Sequence, residues 1–174
     1  MAQERKNAVT FQGGPLTLIG PELKAGDNAP DFKLVDTSLK PVTLADSKGK
    51  TRLISVVPSI DTPVCDLQTK RFNQEASKLS SNVAVITVSM DLPFAQGRWC
   101  GAAQASKVQM LSDYQEHSFG AGYGVLIKEL KLLTRAIFVV GPDDKIQYVE
   151  YVKEITQHPD YDKALGFLAS KSCA

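Results

Sequence analysis

The sequence predicts an α/β fold: a sandwich on a central mixed β-sheet, with an N-terminal β-hairpin extension. Three observations carry this. Arg52-Leu53-Ile54-Ser55-Val56-Val57 and Val83-Ala84-Val85-Ile86-Thr87-Val88 are short, apolar, largely β-branched runs, as expected of strands covered on both faces. Between them, residues 65–79 repeat apolar side chains at helical spacing, and strand, helix, strand implies a right-handed crossover. Further on, Ala136-Ile137-Phe138-Val139-Val140 and Ile146-Gln147-Tyr148-Val149-Glu150-Tyr151 flank Gly141-Pro142-Asp143-Asp144-Lys145, a hairpin with turn chemistry at its centre. With 174 residues, 43% of them hydrophobic, residues 1–174 suit one domain with a full core.

In chain order, Val9-Thr10-Phe11-Gln12 and Leu16-Thr17-Leu18-Ile19 alternate on either side of Gly13-Gly14-Pro15, which makes the N-terminal hairpin. Residues 25–31 are loop by composition and lead into a strand at Phe32-Lys33-Leu34-Val35. Ser47-Lys48-Gly49-Lys50 then turns the chain into the strand at 52–57. In the helix over 65–79, Leu67, Phe72, Ala76 and Leu79 form the apolar face, with Lys70, Arg71 and Glu75 on the others. A second helix over 93–105 includes Cys100; Gly97 and Gly101 weaken it by roughly 1 kcal/mol each relative to alanine, so it opens easily. A closing helix over 161–170 has Tyr161, Leu165 and Leu168 on one face. This order of elements is that of a thioredoxin-like sandwich with N-terminal additions. Gly120-Ala121-Gly122-Tyr123-Gly124 follows no clear strand and lacks the Lys-Ser/Thr of a P-loop, so no phosphate site is read there.

Twenty basic and nineteen acidic side chains leave a net charge of +1. The basic residues are scattered, which disfavours nucleic acid and anionic membranes as partners. No apolar run approaches the roughly 18 residues that span a bilayer, and residues 1–7 lack the apolar stretch of a signal peptide. A cytoplasmic location is expected. Three cysteines, Cys65, Cys100 and Cys173, are too few and too unevenly spaced for a secreted disulfide framework or a zinc site; redox chemistry is the better explanation, against the alternative of inert buried thiols. His117 and His158 have no paired cysteine or carboxylate motif, so a His-activated hydrolase is not indicated.

Cys65 ends Pro58-Ser59-Ile60-Asp61-Thr62-Pro63-Val64-Cys65, directly after a strand. Pro63 suits the first helical position, which makes Thr62 the N-cap and puts the Cys65 sulfur in the first turn. Unpaired N–H groups and the positive end of the macrodipole there favour thiolate over thiol. Thr62 stands where a dithiol oxidoreductase carries the first cysteine of Cys-x-x-Cys, which argues against dithiol exchange.

Pro58, Thr62 and Cys65 match the Pro-x-x-x-Thr-x-x-Cys motif of the peroxidatic loop of the peroxiredoxins, in the same strand-to-helix context. Ser89-Met90-Asp91-Leu92-Pro93-Phe94-Ala95-Gln96 and Arg98-Trp99-Cys100-Gly101 resemble the signature of the thiol peroxidase subfamily, atypical two-cysteine peroxiredoxins. The likeness extends from Gly13-Gly14-Pro15-Leu16 to Glu154-Ile155-Thr156 and Pro159-Asp160-Tyr161. It implies the thioredoxin-like fold, a hydroperoxide substrate, Cys65 as peroxidatic thiol, and Thr62 and Arg135 as donors to sulfur and peroxide. Arg135 lies in Thr134-Arg135-Ala136-Ile137-Phe138, and its guanidinium keeps its charge and can donate to two atoms at once. Pro58 shields the sulfenate. The match at Cys100 implies that this thiol resolves the sulfenate in an intrachain Cys65–Cys100 disulfide, with Cys173 a competing candidate and otherwise a tail thiol without a role. The resemblance further implies recycling by thioredoxin, no cofactor, and a homodimer. Two thiols on the starts of separate helices sit farther apart than the roughly 4.4–6.8 Å Cα spacing of a disulfide, so local unwinding around both is expected. Leu92, Phe94 and Trp99 are either core or an apolar rim favouring organic hydroperoxides.

Overall fold

The computed structural model describes residues 2–172, so Cys173 lies outside the described residues. The strands are β1 (Glu4–Phe11), β2 (Gly14–Ile19), β3 (Lys33–Asp36), β4 (Pro41–Thr43), β5 (Thr51–Val56), β6 (Val83–Ser89), β7 (Gln109–Ser112), β8 (Leu126–Ile127), β9 (Ala136–Val140) and β10 (Ile146–Tyr151). The helices are α1 (Pro63–Ala76), α2 (Pro93–Ala103), α3 (Ser118–Gly122) and α4 (Tyr161–Ser172), with a 3₁₀ turn at Leu44–Ser47. Seven strands form one sheet in the order β10-β9-β5-β6-β7-β3-β4, and β1, β2 and β8 form a second. Parallel pairs β5–β6 and β6–β7 sit between antiparallel edges, so the sheet is mixed, as expected.

Alternation along the central strands sorts their side chains onto two faces. Leu53, Val85, Ile137 and Val139 pack with Phe72 of α1, Trp99 of α2 and Ala164 and Leu168 of α4. Ile54, Val56, Ile86, Val88, Phe138 and Val140 face the other way, against Phe119 of α3 and Tyr123. The Phe119 and Tyr123 rings stack with centroids 4.1 Å apart. Residues 120–124, which carry no P-loop signature, thus serve packing. Gly20 (φ +104) lets the hairpin cross this segment; a Cβ there would meet the Ala121 carbonyl oxygen at 2.0 Å.

Several local expectations shift. The hairpin turn falls on Gln12 and Gly13, both at positive φ, and pairs Phe11 with Gly14. The short elements β4, β7, β8 and α3 carry no periodic pattern of their own. Tertiary pairing makes them, as when Val35 of β3 and Val88 of β6 flank β7. Helix α1 stops at Ala76; Phe72, Ala76 and Leu79 pack inward as expected, but Leu67 is exposed, while Gln68 and Thr69 are buried. Apolar periodicity sets the later turns, and the polar site beneath the first turns sets the rest. Cys100 is also misplaced by the sequence reading. It lies in the last turns of α2, not near its start.

Candidate active site

Strand register assembles the site. Ala136 pairs with both Val56 and Tyr151, so the end of β5, the start of β9 and the end of β10 meet at one edge of the sheet. Pro58 lies two residues beyond β5 and is buried; Arg135 lies one residue before β9. Period-two alternation aims Ser55 and Arg135 to the face of Leu53 and Ile137, beneath α1. The loop between is tied to the end of β6 by Asp91, which accepts from Ser59 Oγ at 2.8 Å, the Ile60 N–H at 2.8 Å and Ser89 Oγ at 2.7 Å.

Thr62 occupies the N-cap position and Pro63 the first helical position, as the sequence predicts. The Thr62 hydroxyl does not cap the backbone. Its Oγ1 lies 2.6 Å from Cys65 Sγ and 3.1 Å from the Ser59 carbonyl oxygen. Cys65 is fully buried, and Arg135 Nη2 donates toward its sulfur at 3.4 Å. The rest of the guanidinium is held by neutral oxygens: Nη1 donates to Gln68 Oε1 at 2.8 Å, and Nε and Nη2 grip the Ile155 carbonyl at 3.0 and 2.8 Å. Gln68 Nε2 in turn donates to Ser55 Oγ at 2.7 Å. A buried cation whose donors end on neutral acceptors leaves its charge available to an anion at the sulfur.

Thr62 and Arg135 also line a largely apolar cleft of about 390 Å³, whose wall includes Phe11, Pro58, Val64, Leu130, Leu132 and Ile155 beside Ser59 and Thr156. Phe11 comes from the hairpin tip and Leu130 and Leu132 from the segment after β8, so the rim is not the one read from sequence. Leu92 and Phe94 are exposed, and they do not line this cleft. Trp99 is buried core, its Nε1 donating to Asp66 Oδ1 at 2.8 Å.

Among the described residues Cys65 and Cys100 are both free thiols. Cys100 is partly buried, which pushes its thiol above the ordinary range. The turn that carries it is closed by Ala105 N–H to the Cys100 carbonyl (3.0 Å) and Gln104 N–H to the Gly101 carbonyl (3.3 Å). Gln104 stands there in the left-handed region at φ +51, a position glycine fills at lower cost. Among the described residues no cluster of three or more His, Cys, Asp or Glu side chains is placed to hold a metal ion.

The structure therefore brings Pro58, Thr62, Cys65 and Arg135 together and keeps Cys100 on a separate helix. The roles of Gln68, Asp91, Phe11 and the Ile155 carbonyl escaped the sequence reading, although Asp91 and Ile155 lie in segments that carry the family likeness. Gln68 also had a positional signal, since it stands three residues after Cys65 on the same helical face.

The redoxin family model matches residues 24–165 of the chain. A thiol peroxidase of Halalkalibacterium halodurans is 58% identical over 158 residues, covering 91% of this chain and 95% of that protein. A thiol peroxidase of Bacillus subtilis is 57% identical over 157 residues, covering 90% and 93%. Among solved structures, a peroxiredoxin-like protein from Aquifex aeolicus superposes with a TM-score of 0.88 at 40% identity, covering 94% of this chain and 96% of that one.

Proposed function

Since the chain belongs to the redoxin family, and within it to the thiol peroxidases, peroxiredoxin-type enzymes, we propose that it reduces hydrogen peroxide and organic hydroperoxides at Cys65. One observation carries the reading: Cys65 Sγ is met at once by Thr62 Oγ1 at 2.6 Å and Arg135 Nη2 at 3.4 Å, two groups that also line the apolar cleft.

The Cys65 thiolate attacks the terminal peroxide oxygen. An S–O bond forms, the O–O bond breaks, and the departing alkoxide or hydroxide takes a proton to leave as alcohol or water. Negative charge moves from sulfur to the leaving oxygen, along a line that Thr62 and Arg135 flank with donors already in position. Their preorganisation spares the reaction the cost of arranging solvent, and Pro58 covers the sulfur against a second oxidation. The Cys65 sulfenic acid is then captured by the Cys100 sulfur, forming an S–S bond and releasing water before oxidation reaches the irreversible sulfinic state. Reduced thioredoxin supplies two electrons by thiol–disulfide exchange and restores both thiols. Such recycling fits a reducing compartment, the cytoplasm, and a homodimer completes the proposal. The apolar wall of the cleft supports organic hydroperoxides as substrates.

Stopped-flow oxidation of the reduced protein by cumene hydroperoxide, followed by Trp99 fluorescence, tests the reading. The expected result is a fast second-order phase in the wild type that Cys65→Ser abolishes. A rate no greater than that of an unactivated thiol, or one that survives the substitution, would remove Cys65 from the chemistry.

A further inference from the structure

The N-terminal hairpin lies outside the central sheet, yet its first strand is tied to the segment that holds Arg135. Thr10 N–H donates to the Lys153 carbonyl at 2.7 Å, and Ile155 N–H donates to the Thr10 carbonyl at 2.9 Å. At the centre of this contact the Glu154 carboxylate accepts five hydrogen bonds. Thr10 Oγ1 (2.7 Å), Gln12 N–H (3.0 Å) and Gly13 N–H (3.1 Å) come from the hairpin and its turn. Thr156 N–H (3.2 Å) and Thr156 Oγ1 (2.8 Å) come from its own segment. The next residue, Ile155, is buried with Val9, Leu18 and Ile127, and its carbonyl receives the Nε and Nη2 of Arg135.

We propose that Glu154 is a positioning residue for the peroxide reaction: it clamps the hairpin to residues 154–156 and thereby fixes the Ile155 carbonyl that aims Arg135 at Cys65. The inference rests on the function proposed above. Arg135 is held on two sides, by Gln68 on α1 and by Ile155 on the clamp, and only the second hold depends on a segment without regular secondary structure. A carboxylate suits the task because five donors converge on two oxygens, more than a neutral amide can accept. Hydrogen bonds, the Thr10 hydroxyl first among them, hold the Glu154 carboxyl down to about 2. The clamp thus stays ionised at neutral pH; losing its negative charge would by itself favour the thiolate, so an alkylation profile moved to higher pH reports Arg135. Burial pushes the Tyr161 hydroxyl at the start of α4 up, with Arg135 and Arg71 opposing and Cys65 and Glu150 adding to the rise.

The test compares wild type, Glu154→Ala and Glu154→Gln at 25 °C. It measures the second-order constants for hydrogen peroxide and cumene hydroperoxide, the pH profile of Cys65 alkylation by iodoacetamide, and the melting temperature. Misaiming Arg135 is expected to lower both peroxide constants by about tenfold or more in Glu154→Ala, equally for the two peroxides, and to move the alkylation profile to higher pH. Glu154→Gln, which keeps the shape and loses one acceptor, is expected to fall between, and it decides the matter alone should Glu154→Ala not fold. Unchanged constants and profile with only a lower melting temperature would reduce Glu154 to a structural role. A loss confined to cumene hydroperoxide would assign the effect to the Phe11 wall and overturn positioning of Arg135. A wild type without the fast phase would overturn the peroxidase reading as well, whereas a fast wild type matched by Glu154→Ala overturns this inference alone.

Discussion

Trp99 Nε1 donates to Asp66 Oδ1 at 2.8 Å, and these two residues are the immediate chain neighbours of Cys100 and Cys65. This hydrogen bond ties together the two segments that the proposed disulfide would draw out of their helices. A second tie runs in parallel, Arg98 Nη2 to Asp61 Oδ1 at 3.4 Å, but it lies in solvent and contributes little.

Removing the tie with Asp66→Ala is expected to speed disulfide formation. A net value of about 1 kcal/mol for the hydrogen bond corresponds to roughly fivefold. Rapid-quench mass spectrometry of the Cys65–Cys100 disulfide after one equivalent of peroxide reads this directly, and an unchanged rate would show that opening does not pass through this contact. Burial by itself would raise the Asp66 carboxyl, but hydrogen bonds from Lys70 and Trp99 outweigh it and hold it below its ordinary 3.8. A depressed folded value means that the carboxylate's contribution is present above pH 3.8 and is lost as pH falls below it. The tie is therefore at full strength at neutral pH.

Gly101 is expected to set the ease with which the Cys100 turn opens. A Cβ at this position meets nothing within 4 Å, so Gly101→Ala adds helix propensity without a clash, worth about 0.5–1 kcal/mol. Disulfide formation should slow by up to about fivefold while the initial oxidation of Cys65 is unchanged. The same rapid-quench measurement, run beside stopped flow, separates the two steps.

Phe11, not Phe94, should carry peroxide selectivity. Phe11 lines the cleft beside Thr62 and Arg135, whereas Phe94 is 68% exposed and lies outside it. Phe11→Ala is expected to lower the ratio of kcat/KM for cumene hydroperoxide over hydrogen peroxide by about tenfold, the effect of about 1.4 kcal/mol of lost apolar contact. Phe94→Ala should leave the ratio where it is.

Asp113 should make stability fall with pH. Burial pushes its carboxyl up to about 6, against the opposing N–H groups of Gly120 and Phe119 at the start of α3. A folded value above the ordinary 3.8 means the folded state holds the proton more tightly, so stability is full below pH 3.8 and declines as pH rises through 6. The window corresponds to a change on the order of 3 kcal/mol. Melting temperature measured from pH 4 to 7 should fall, and Asp113→Asn should flatten that slope relative to wild type.

The local chemistry around Cys65 was legible because it is written in adjacent residues. Within a helix Pro63 suits only the first turn, Thr62 is then its N-cap, and Cys65 falls in the first turn. The strands at 52–57 and 83–88, buried on both faces, announced the centre of the sheet by composition alone. Where α1 turns polar residues inward, the same reasoning failed, since Gln68 is buried for its bonds to Ser55 and Arg135 while Leu67 points outward. Cys100 was located on the right helix but at the wrong end of it.

The sequence alone determined the α/β class, the order of the main elements and the capped turn that presents Cys65, because helix starts, buried strands and tight turns depend on residues a few positions apart. The tertiary structure decided what surrounds that sulfur. Arg135 arrives through the pairing of β9 with β5, seventy residues from Cys65, and its anchor Ile155 is twenty residues farther on. Phe11 reaches the cleft because the hairpin is bound there, by Thr10 to Glu154, by the pairing of β2 with β8 and by the packing of Val9 and Leu18 on Ile155. Hydrogen bonds and apolar contacts between distant segments leave no periodic trace in a chain, so the cleft and the aim of its arginine exist only once the sheet has formed.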